Sequence, residues 1–395
     1  MRTIGVVTVA RSDYGIYLPV LQRIQAEPML RLRLLVAGMH LSPEFGLTVQ
    51  QIQADGFAIG EQVEMLLSSE SPTGVAKSMG LGVIGFAQAY NHCRPDILLV
   101  LGDRFEMYTA ALAALPFKIP VAHIHGGEVT EGAIDDALRH SMTKLSHLHF
   151  VATQAYAQRV MQLGEEPWRV TVSGAPALDR VHTHQPVNCG ELEKRYNISL
   201  QPPPLLVTFH PVTLEYEQTE WQINELLAAL GACELPVVFT LPNADTNSRL
   251  IIQKIEAFVQ THRTASVVAN FGAQGYFSML HYALAMVGNS SSGLIEAPSF
   301  GLPVVNIGTR QNGRVRGPNV IDVGYDRAAI LAGIGAALQP EFRESIRQAQ
   351  NPYGNGAAAQ VIVERLKSVA LDNQLLVKHF FDWQYNADEM SRSHA

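Results

Sequence analysis

Short β-branched runs alternate with longer helical stretches along most of this chain. The first run, residues 4–9, is continuously apolar, which is typical of a strand buried on both faces of a parallel sheet. Strand–helix alternation at this spacing predicts βαβ units, so the expected fold class is α/β with parallel sheets. The other predicted strands cover residues 32–37, 95–101, 120–124, 205–209, 237–241, 267–269, 286–287, 303–307 and 319–323.

The length of 395 residues exceeds what one compact core usually supports, so two domains are expected. Residues 183–204, which end in three consecutive prolines, are the predicted linker, and the alternation restarts after them. The domains are predicted over residues 1–185 and 186–365, with a helix and tail over 366–395. Two such halves would enclose a cleft, which is the default place for a ligand.

Composition argues against several classes of function. A formal net charge of -7 gives no electrostatic reason to expect nucleic acid or an acidic membrane as a partner. No run reaches the ~18 apolar residues of a transmembrane helix, and the apolar run at the N-terminus is too short for a signal peptide. The three scattered cysteines, Cys93, Cys189 and Cys233, indicate reduced thiols in a cytoplasmic protein.

Polar segments follow four predicted strands of the first half, at residues 11–15, 38–46, 102–106 and 125–132. In an open parallel sheet the ligand binds beyond the carboxyl ends of the strands, so these segments are expected to surround it. The first of them is predicted as a polar turn, with a helix beginning near Ile16.

Carboxyl groups are concentrated in these segments and in the helix that follows the last of them. The candidates for chemistry among them are Asp103, Glu106, Glu128, Asp135 and Asp136. Arg139 and His140 lie four residues after the two helix aspartates, so each pair shares a helix face. Carboxylates held close together disturb one another's protonation, which suits general acid and base roles. The alternative is that these acids complement the dipoles of helix N-termini and do no chemistry.

Histidines are dense in the same region, at His123, His125, His140, His147 and His149. Their spacing fits a zinc site poorly, because no third ligand stands at metal spacing and no cysteine is near. No metal is therefore expected. His125, just past a strand end, is a candidate ligand contact, whereas His147 and His149 are predicted to be structural.

The stretch from Gly288 to Glu296 places small and hydroxyl-bearing residues where a strand turns into a helix. Serines at 290–292 are good N-cap residues, and the free N–H groups of a helix start favour an anion. Glu296, about one turn into that helix, is placed to accept hydrogen bonds from ribose hydroxyls. The stretch predicts a nucleoside-diphosphate pocket, and the alternative is an ordinary capped helix.

Three more polar residues follow strands of the second half. His210 is predicted to point into the cleft, Asn243 to contact uracil or ribose, and Arg310, on a glycine-rich loop, to contact phosphate. A turn position is the alternative for His210, and a solvated loop is the alternative for Arg310.

Taken together, these motifs resemble the UDP-N-acetylglucosamine 2-epimerase family, and within it the hydrolysing branch that feeds sialic and legionaminic acid synthesis. The resemblance covers roughly residues 3–370. The segments that carry it are 11–15, 38–40, 102–106, 123–128, 134–136, 139–141, 209–211, 288–296 and 306–310. It implies the glycosyltransferase-B architecture, with two Rossmann-like domains, an active site in the interdomain cleft and a C-terminal helix that returns to the first domain.

The resemblance also implies the chemistry. One group removes the proton at C2 of the sugar while UDP leaves C1, and water then adds to the resulting glycal, so that a free 2-epimeric sugar such as N-acetylmannosamine is released. No cofactor is implied, and a homodimer or homotetramer is expected. The implied catalytic residues are Asp103, Glu128, Asp135, His210 and His125. The implied substrate-binding residues are Arg11, Ser12, His40, Arg104, Asp136, Arg139, Asn243, Ser290, Ser291, Ser292, Glu296 and Arg310.

Several alternatives stay open at this point. Many family members carry Glu where His125 stands, so the proton could be moved by His125, Glu128 or both, and Asp135 and Asp136 are not separable. The sugar is either N-acetylglucosamine or the 2,4-diacetamido-2,4,6-trideoxy sugar of the legionaminic acid pathway. A glycosyltransferase, a non-hydrolysing epimerase or a non-catalytic UDP-sugar-binding protein are the competing functions.

Overall fold

The computed structural model describes residues 1–68, 71–131, 134–242 and 247–383, except for the side chains of 182, 213 and 214. Within them the chain forms two compact units. The first takes its chain from Met1–Glu128, Asp135–Pro176 and Ala357–Ala395, and the second from Val129–Ile134 and Ala177–Gly356. The domain boundaries predicted after residues 185 and 365 lie slightly further along the chain.

The first unit is built on a seven-stranded sheet with the order β3-β2-β1-β4-β5-β6-β7, in which neighbouring strands are parallel. Its strands are β1 Arg2–Thr8, β2 Leu30–Ala37, β3 Ile59–Val63, β4 Ile97–Leu101, β5 Val121–Ile124, β6 Leu148–Val151 and β7 Val170–Val172. Four of these match strands predicted from sequence, whereas β3, β6 and β7 were not predicted.

The second unit is built on a six-stranded parallel sheet with the order β10-β9-β8-β11-β12-β13. Its strands are β8 Leu205–Thr208, β9 Val237–Thr240, β10 Ala265–Val268, β11 Ala285–Gly288, β12 Val304–Ile307 and β13 Val320–Val323. All six correspond to predicted strands. The expected α/β class with two parallel sheets is therefore confirmed.

Helices connect the strands of each sheet. The helices of the first half are α1 Arg11–Ala26, α2 Val49–Ala54, α3 Pro72–His92, α4 Phe105–Ala114, α5 Ile134–Leu145, α6 Gln154–Gln162, α7 Asp179–His182 and α8 Cys189–Tyr196. Those that follow are α9 Thr219–Ala232, α10 Ser248–Thr261, α11 Gly272–Tyr282, α12 Ser292–Ile295, α13 Arg327–Ala337, α14 Pro340–Ile346, α15 Ala358–Ser368 and α16 Asn373–Leu376. Within the described ranges, no helix is both long and apolar enough to cross a membrane.

Two sequence predictions about local structure were wrong. Residues 11–15 are the first turn of α1 and not a separate polar turn, because the Asp13 carboxylate accepts the backbone N–H groups of Val9 and Ala10 at 2.8 and 2.7 Å. The stretch predicted as a linker contains helix α8. Its Tyr196 packs edge-on against Phe271 and donates a hydrogen bond to the carbonyl of that residue, which anchors the helix in the second unit.

The core of the first unit includes residues from the end of the chain. Ile362, Val363 and Leu366 of α15 are buried with β1, β2 and α1 in one apolar cluster. Arg2 donates from its guanidinium to the carbonyls of Lys367 and Val369 at 2.9 and 2.7 Å, and so satisfies backbone groups left free at the end of that helix. Helix α15 and the residues just after it thus complete the core of the first unit.

Candidate active site

In the first sheet the strand order reverses between β1 and β4, which is where a doubly wound sheet opens a crevice for a ligand. Arg11 and Ser12 begin α1 directly after β1, and both are exposed. Asp103 follows β4 through Gly102, whose positive φ of 76° sharpens the turn. Two of the polar segments predicted to surround a ligand, residues 11–15 and 102–106, therefore lie at the topological switch point of this sheet.

A buried guanidinium holds the acidic cluster together. Arg139 of α5 forms an ion pair with Asp103, lies 3.4 Å from Oε2 of Glu128, and donates to the carbonyl of His125 at 3.2 Å. His125 Nδ1 lies 2.7 Å from Oε1 of Glu128. The side chains of Arg139 and Glu128 are 4% and 5% exposed. Four predicted site residues from three parts of the chain are thus brought into direct contact.

The two aspartates of α5 have different surroundings. Burial, and then the nearby charge of Asp103, raise the pKa of Asp135, against the opposing effect of Arg104 and Arg139. Asp136 instead lies 3.6 Å from Nε2 of His140, one helical turn further on. Asp135 therefore interacts electrostatically with the acidic cluster, whereas Asp136 pairs with His140.

Arg104 and His40 are also near the end of β1, but they differ in exposure. Arg104 is 38% exposed and lies 3.3 Å from Oε1 of Glu106, which is itself buried. His40 is fully buried, and its two ring nitrogens lie 2.9 Å from the Thr8 hydroxyl and 2.6 Å from that of Thr48. Burial lowers its pKa to about 4, so the ring is neutral. Since both nitrogens are engaged within the fold, we assign His40 a supporting role.

His123 is a residue whose contribution sequence reasoning missed. It is fully buried on β5, and its Nε2 donates to the carbonyl of Gly102 at 2.7 Å, in the turn that carries Asp103. Burial lowers its pKa to about 3, and the hydrogen bond to Gly102 opposes this effect only in part. The available signal was the order of the strands, because His123 stands near the end of a strand that runs parallel to the one before Gly102, so both segments end at the same edge of the sheet.

We expect His123→Asn to change how stability depends on pH. The folded pKa of His123 lies below the ~6.5 of an unfolded histidine, so the unfolded state takes up a proton first as pH falls. The wild type then loses stability below pH ~6.5, at up to about 1.4 kcal/mol per pH unit from this group. Urea unfolding of the first unit, measured from pH 7.5 to 5, gives the free energy of unfolding of both proteins. The excess of the wild type over His123→Asn should fall at up to that rate below pH ~6.5.

The exposed His379 supplies the control for this experiment, since His379→Asn should leave the pH dependence unchanged. A stability difference between wild type and His123→Asn that stays constant over this pH range would contradict the neutral, buried state of His123.

In the second sheet the order reverses between β8 and β11. Gly288 ends β11 with φ 135°, and a Cβ there would overlap the carbonyl oxygen of Thr208, so the position requires glycine. The next residue, Asn289, exchanges two hydrogen bonds with the backbone of His210, at 2.7 and 2.8 Å. The segments after β8 and β11 are thereby held side by side at the switch point.

Arg310 and Gln311 meet this pair from the loop after β12. Arg310 Nη1 and Gln311 Nε2 both donate to the carbonyl of Asn289, at 3.1 and 2.8 Å. His210 is 6% exposed, and burial together with the charge of Arg310 lowers its pKa to about 3. The second unit therefore places a neutral imidazole beside a guanidinium, a combination that can donate hydrogen bonds to an anion.

The serine stretch forms a shorter helix than predicted. Helix α12 is a single turn, Ser292–Ile295, followed by a 3-10 turn over Ala297–Phe300, because Pro298 cannot continue an α-helix. Ser290, Ser291 and Ser292 are partly exposed, and Ser292 Oγ accepts a hydrogen bond from Tyr276 at 2.8 Å.

Glu296 caps the end of that turn and lies near Tyr276, whose pKa is raised by burial and, to a smaller degree, by the charge of Glu296. Asn243, the remaining predicted contact, lies outside the described residues.

Two doubly wound units with polar residues at both switch points are typical of the glycosyltransferase-B class, and solved structures agree. The fold matches UDP-GlcNAc 2-epimerase from Neisseria meningitidis bound to UDP-GlcNAc, with a TM-score of 0.79 and 19% identity, over 93% of this chain and 99% of that one. The family model for UDP-N-acetylglucosamine 2-epimerase matches residues 22–367. The chain belongs to the UDP-N-acetylglucosamine 2-epimerase family, and within it to the hydrolysing branch.

Two curated relatives resemble the whole chain about equally. One is the hydrolysing UDP-N,N'-diacetylbacillosamine 2-epimerase of Legionella pneumophila, 37% identical over 96% of this chain and 99% of the relative. The other is polysialic acid biosynthesis protein P7 of Escherichia coli, 36% identical over 97% and 98%.

Proposed function

We propose that this protein is a hydrolysing UDP-sugar 2-epimerase that releases UDP and a free sugar inverted at C2. The observation that carries the proposal is the cluster in which Arg139 joins Asp103 to Glu128 beside Asp135, at the switch point of the first sheet. Such a reaction needs one group to take a proton from C2 and another to return one to the opposite face. A non-catalytic UDP-sugar-binding protein would not need several carboxyl groups at the sugar end.

The proposed reaction has two steps. Asp103 or Glu128 accepts the C2 proton as the C1–O bond to UDP breaks, which gives a 2-acetamidoglucal and UDP. Water then adds its oxygen to C1 and loses one proton to the solvent, while a proton is delivered to C2 from the other face. The base of the first step afterwards releases the proton it took from C2 to the solvent. The raised pKa of Asp135 favours the protonated carboxyl, which suits it to deliver that proton.

Residues of the second unit are proposed to bind the nucleotide. His210 and Arg310 would stabilise charge on the leaving diphosphate, with Ser290 and Ser291 beside them. Glu296 would accept hydrogen bonds from the ribose hydroxyls. The neutral state of His210 means that it would act as a hydrogen-bond donor and not as a cation.

For the sugar, UDP-N-acetylglucosamine is the first candidate. A second candidate, the 2,4-diacetamido-2,4,6-trideoxyglucose nucleotide, is supported by the similarity to the Legionella relative, which is named for N,N'-diacetylbacillosamine. The two nucleotides differ at C4 and C6, away from the carbon atoms that react, so the same carboxyl groups would serve either.

Incubating the purified protein with each nucleotide in D2O, and following the products by NMR, tests the proposal. We expect UDP and a manno-configured free sugar that carries solvent deuterium at C2, from one nucleotide in clear preference to the other. Complete retention of protium at C2 would contradict the elimination step. Transfer of the sugar to an added acceptor, with C2 unchanged, would indicate a glycosyltransferase.

A further inference from the structure

A closed ring of hydrogen bonds joins the segments that follow β8, β11 and β12 in the second unit. The pair formed by His210 and Asn289 is one link, and the donation from Arg310 and Gln311 to the carbonyl of Asn289 is the next. These two links hold the side chains of Arg310 and Gln311. The start of the same loop, at Gly308 and Thr309, is held by other residues.

Glu215 closes the ring. It lies in the 3-10 turn Thr213–Gln218, five residues after His210, and its Oε1 accepts a hydrogen bond from the hydroxyl of Thr309. Its Oε2 accepts from the hydroxyl of Tyr325 at 2.7 Å and from Nε2 of the buried Gln222 at 2.8 Å. One carboxylate thus connects the segment after β8 to the loop after β12 and to Tyr325, two residues after the end of β13.

Tyr325 holds the same loop in a second way. Its ring lies directly over Gly308, which has φ 72°, and a Cβ on that residue would overlap the ring. Its hydroxyl oxygen also accepts the backbone N–H of Thr309 at 3.2 Å. The hydroxyl of Tyr325 therefore contacts both the loop and the carboxylate, while the ring fills the space that the glycine leaves.

We propose that Glu215 and Tyr325 are positioning residues that fix the loop of Arg310, so that its guanidinium stays beside His210 and is ready to bind a diphosphate. The inference rests on the proposed function, because it assigns these two residues to the nucleotide side of that reaction. Neither residue reaches the anion in this assignment, and both act through Arg310. A loop fixed in advance spares the ligand the entropy cost of ordering it.

Tyr325→Phe isolates the hydroxyl, because the ring that packs on Gly308 is kept. We expect the Kd for UDP, measured by calorimetry, and the KM for the UDP-sugar each to rise about tenfold, the effect of losing one well-placed hydrogen bond. The kcat should stay within about twofold and the Tm within about 2 °C, since groups at the reacting carbon atoms and the core are untouched.

Two further variants complete the test. In an Arg310→Ala background, Tyr325→Phe should change the Kd for UDP by less than about twofold, because residues that act through one group are not additive. The matched control is Tyr282→Phe, whose hydroxyl donates to the carbonyl of Val187 at 3.0 Å elsewhere in the same unit. That variant should bind UDP like the wild type.

The outcomes separate this inference from the function on which it rests. A wild type that turns over its UDP-sugar, together with a Tyr325→Phe variant of unchanged Kd, overturns the inference alone. A tenfold rise in the Kd for UDP when Tyr325→Phe is added to Arg310→Ala also overturns the inference alone. A tenfold rise in the Kd for UDP in the Tyr282→Phe control has the same meaning. If the wild type neither binds UDP nor turns over a UDP-sugar, the proposed function and the inference both fail.

Discussion

Asp103→Asn is expected to lower kcat by at least ~100-fold, which is the usual loss when a general acid or base is removed. The substitution keeps the size of the side chain and removes its charge and its ability to take up a proton. Nucleotide-binding residues are proposed to lie in the other unit, so the affinity for UDP should stay within about twofold. Steady-state kinetics gives the first quantity, and calorimetry with UDP gives the second.

Two controls define the meaning of this result. Asp382→Asn, at an exposed position, should leave kcat unchanged. Asp103→Glu should recover part of the lost activity, because a carboxylate returns near the same place. Full turnover in Asp103→Asn would remove Asp103 from the mechanism. A loss of UDP affinity equal to the loss of kcat would show that Asp103 acts in binding and not in proton transfer.

The sheets were predictable because buried parallel strands leave a simple signal. Runs such as residues 97–101 are apolar at every position, and each is buried on both faces. β3 and β7 escaped prediction for the opposite reason. Both are edge strands, and polar or small residues interrupt their apolar pattern. These residues are Gly60 and Glu61 in β3 and Thr171 in β7.

The proximity of the residues in the acidic cluster was predictable from sequence, but their pairing was not. Residues after consecutive parallel strands meet at one edge, which is why Asp103 and Glu128 were expected to be neighbours. The helical i,i+4 rule pointed Arg139 at Asp135, whereas its guanidinium contacts Asp103 and Glu128. That choice depends on how α5 packs against the sheet, and a pattern within one helix carries no information about it.

The supporting residues were the hardest to recognise from sequence. Glu215 and Tyr325 stand far apart in the chain and belong to no local motif, and they meet only because β8 and β13 end at the same edge of the sheet. By contrast, the pairing of Asp136 with His140 is local, so the helical spacing was enough to predict it.

Arg139→Met is expected to destabilise the first unit and to abolish most activity. The guanidinium is buried and contacts two carboxylates and the carbonyl of His125, so its removal leaves Asp103 and Glu128 without their shared cation. Breaking a buried ion pair on one side typically costs about 3–5 kcal/mol, because the remaining charge stays out of water. Urea unfolding of the first unit should show a loss of that size.

The kinetic consequence follows from the same electrostatics. Without the cation, the negative charges of Asp103 and Glu128 are no longer offset within the cluster, and both carboxylates lose the group that links them. We expect kcat at pH 7.5 to fall by at least ~100-fold, as for loss of a general base.

Matched variants decide between electrostatic and packing explanations. Arg347→Met, at a surface pair with Glu344 that is 75% and 72% exposed, should cost less than about 1 kcal/mol. Arg139→Lys keeps the positive charge but replaces the planar guanidinium by an ammonium group. It should therefore recover much of the stability, but it should not restore the geometry that links Asp103 to Glu128. If Arg139→Met were as stable and as active as the wild type, the cation would not be what holds Asp103 and Glu128 together, and the acid–base cluster would need another explanation.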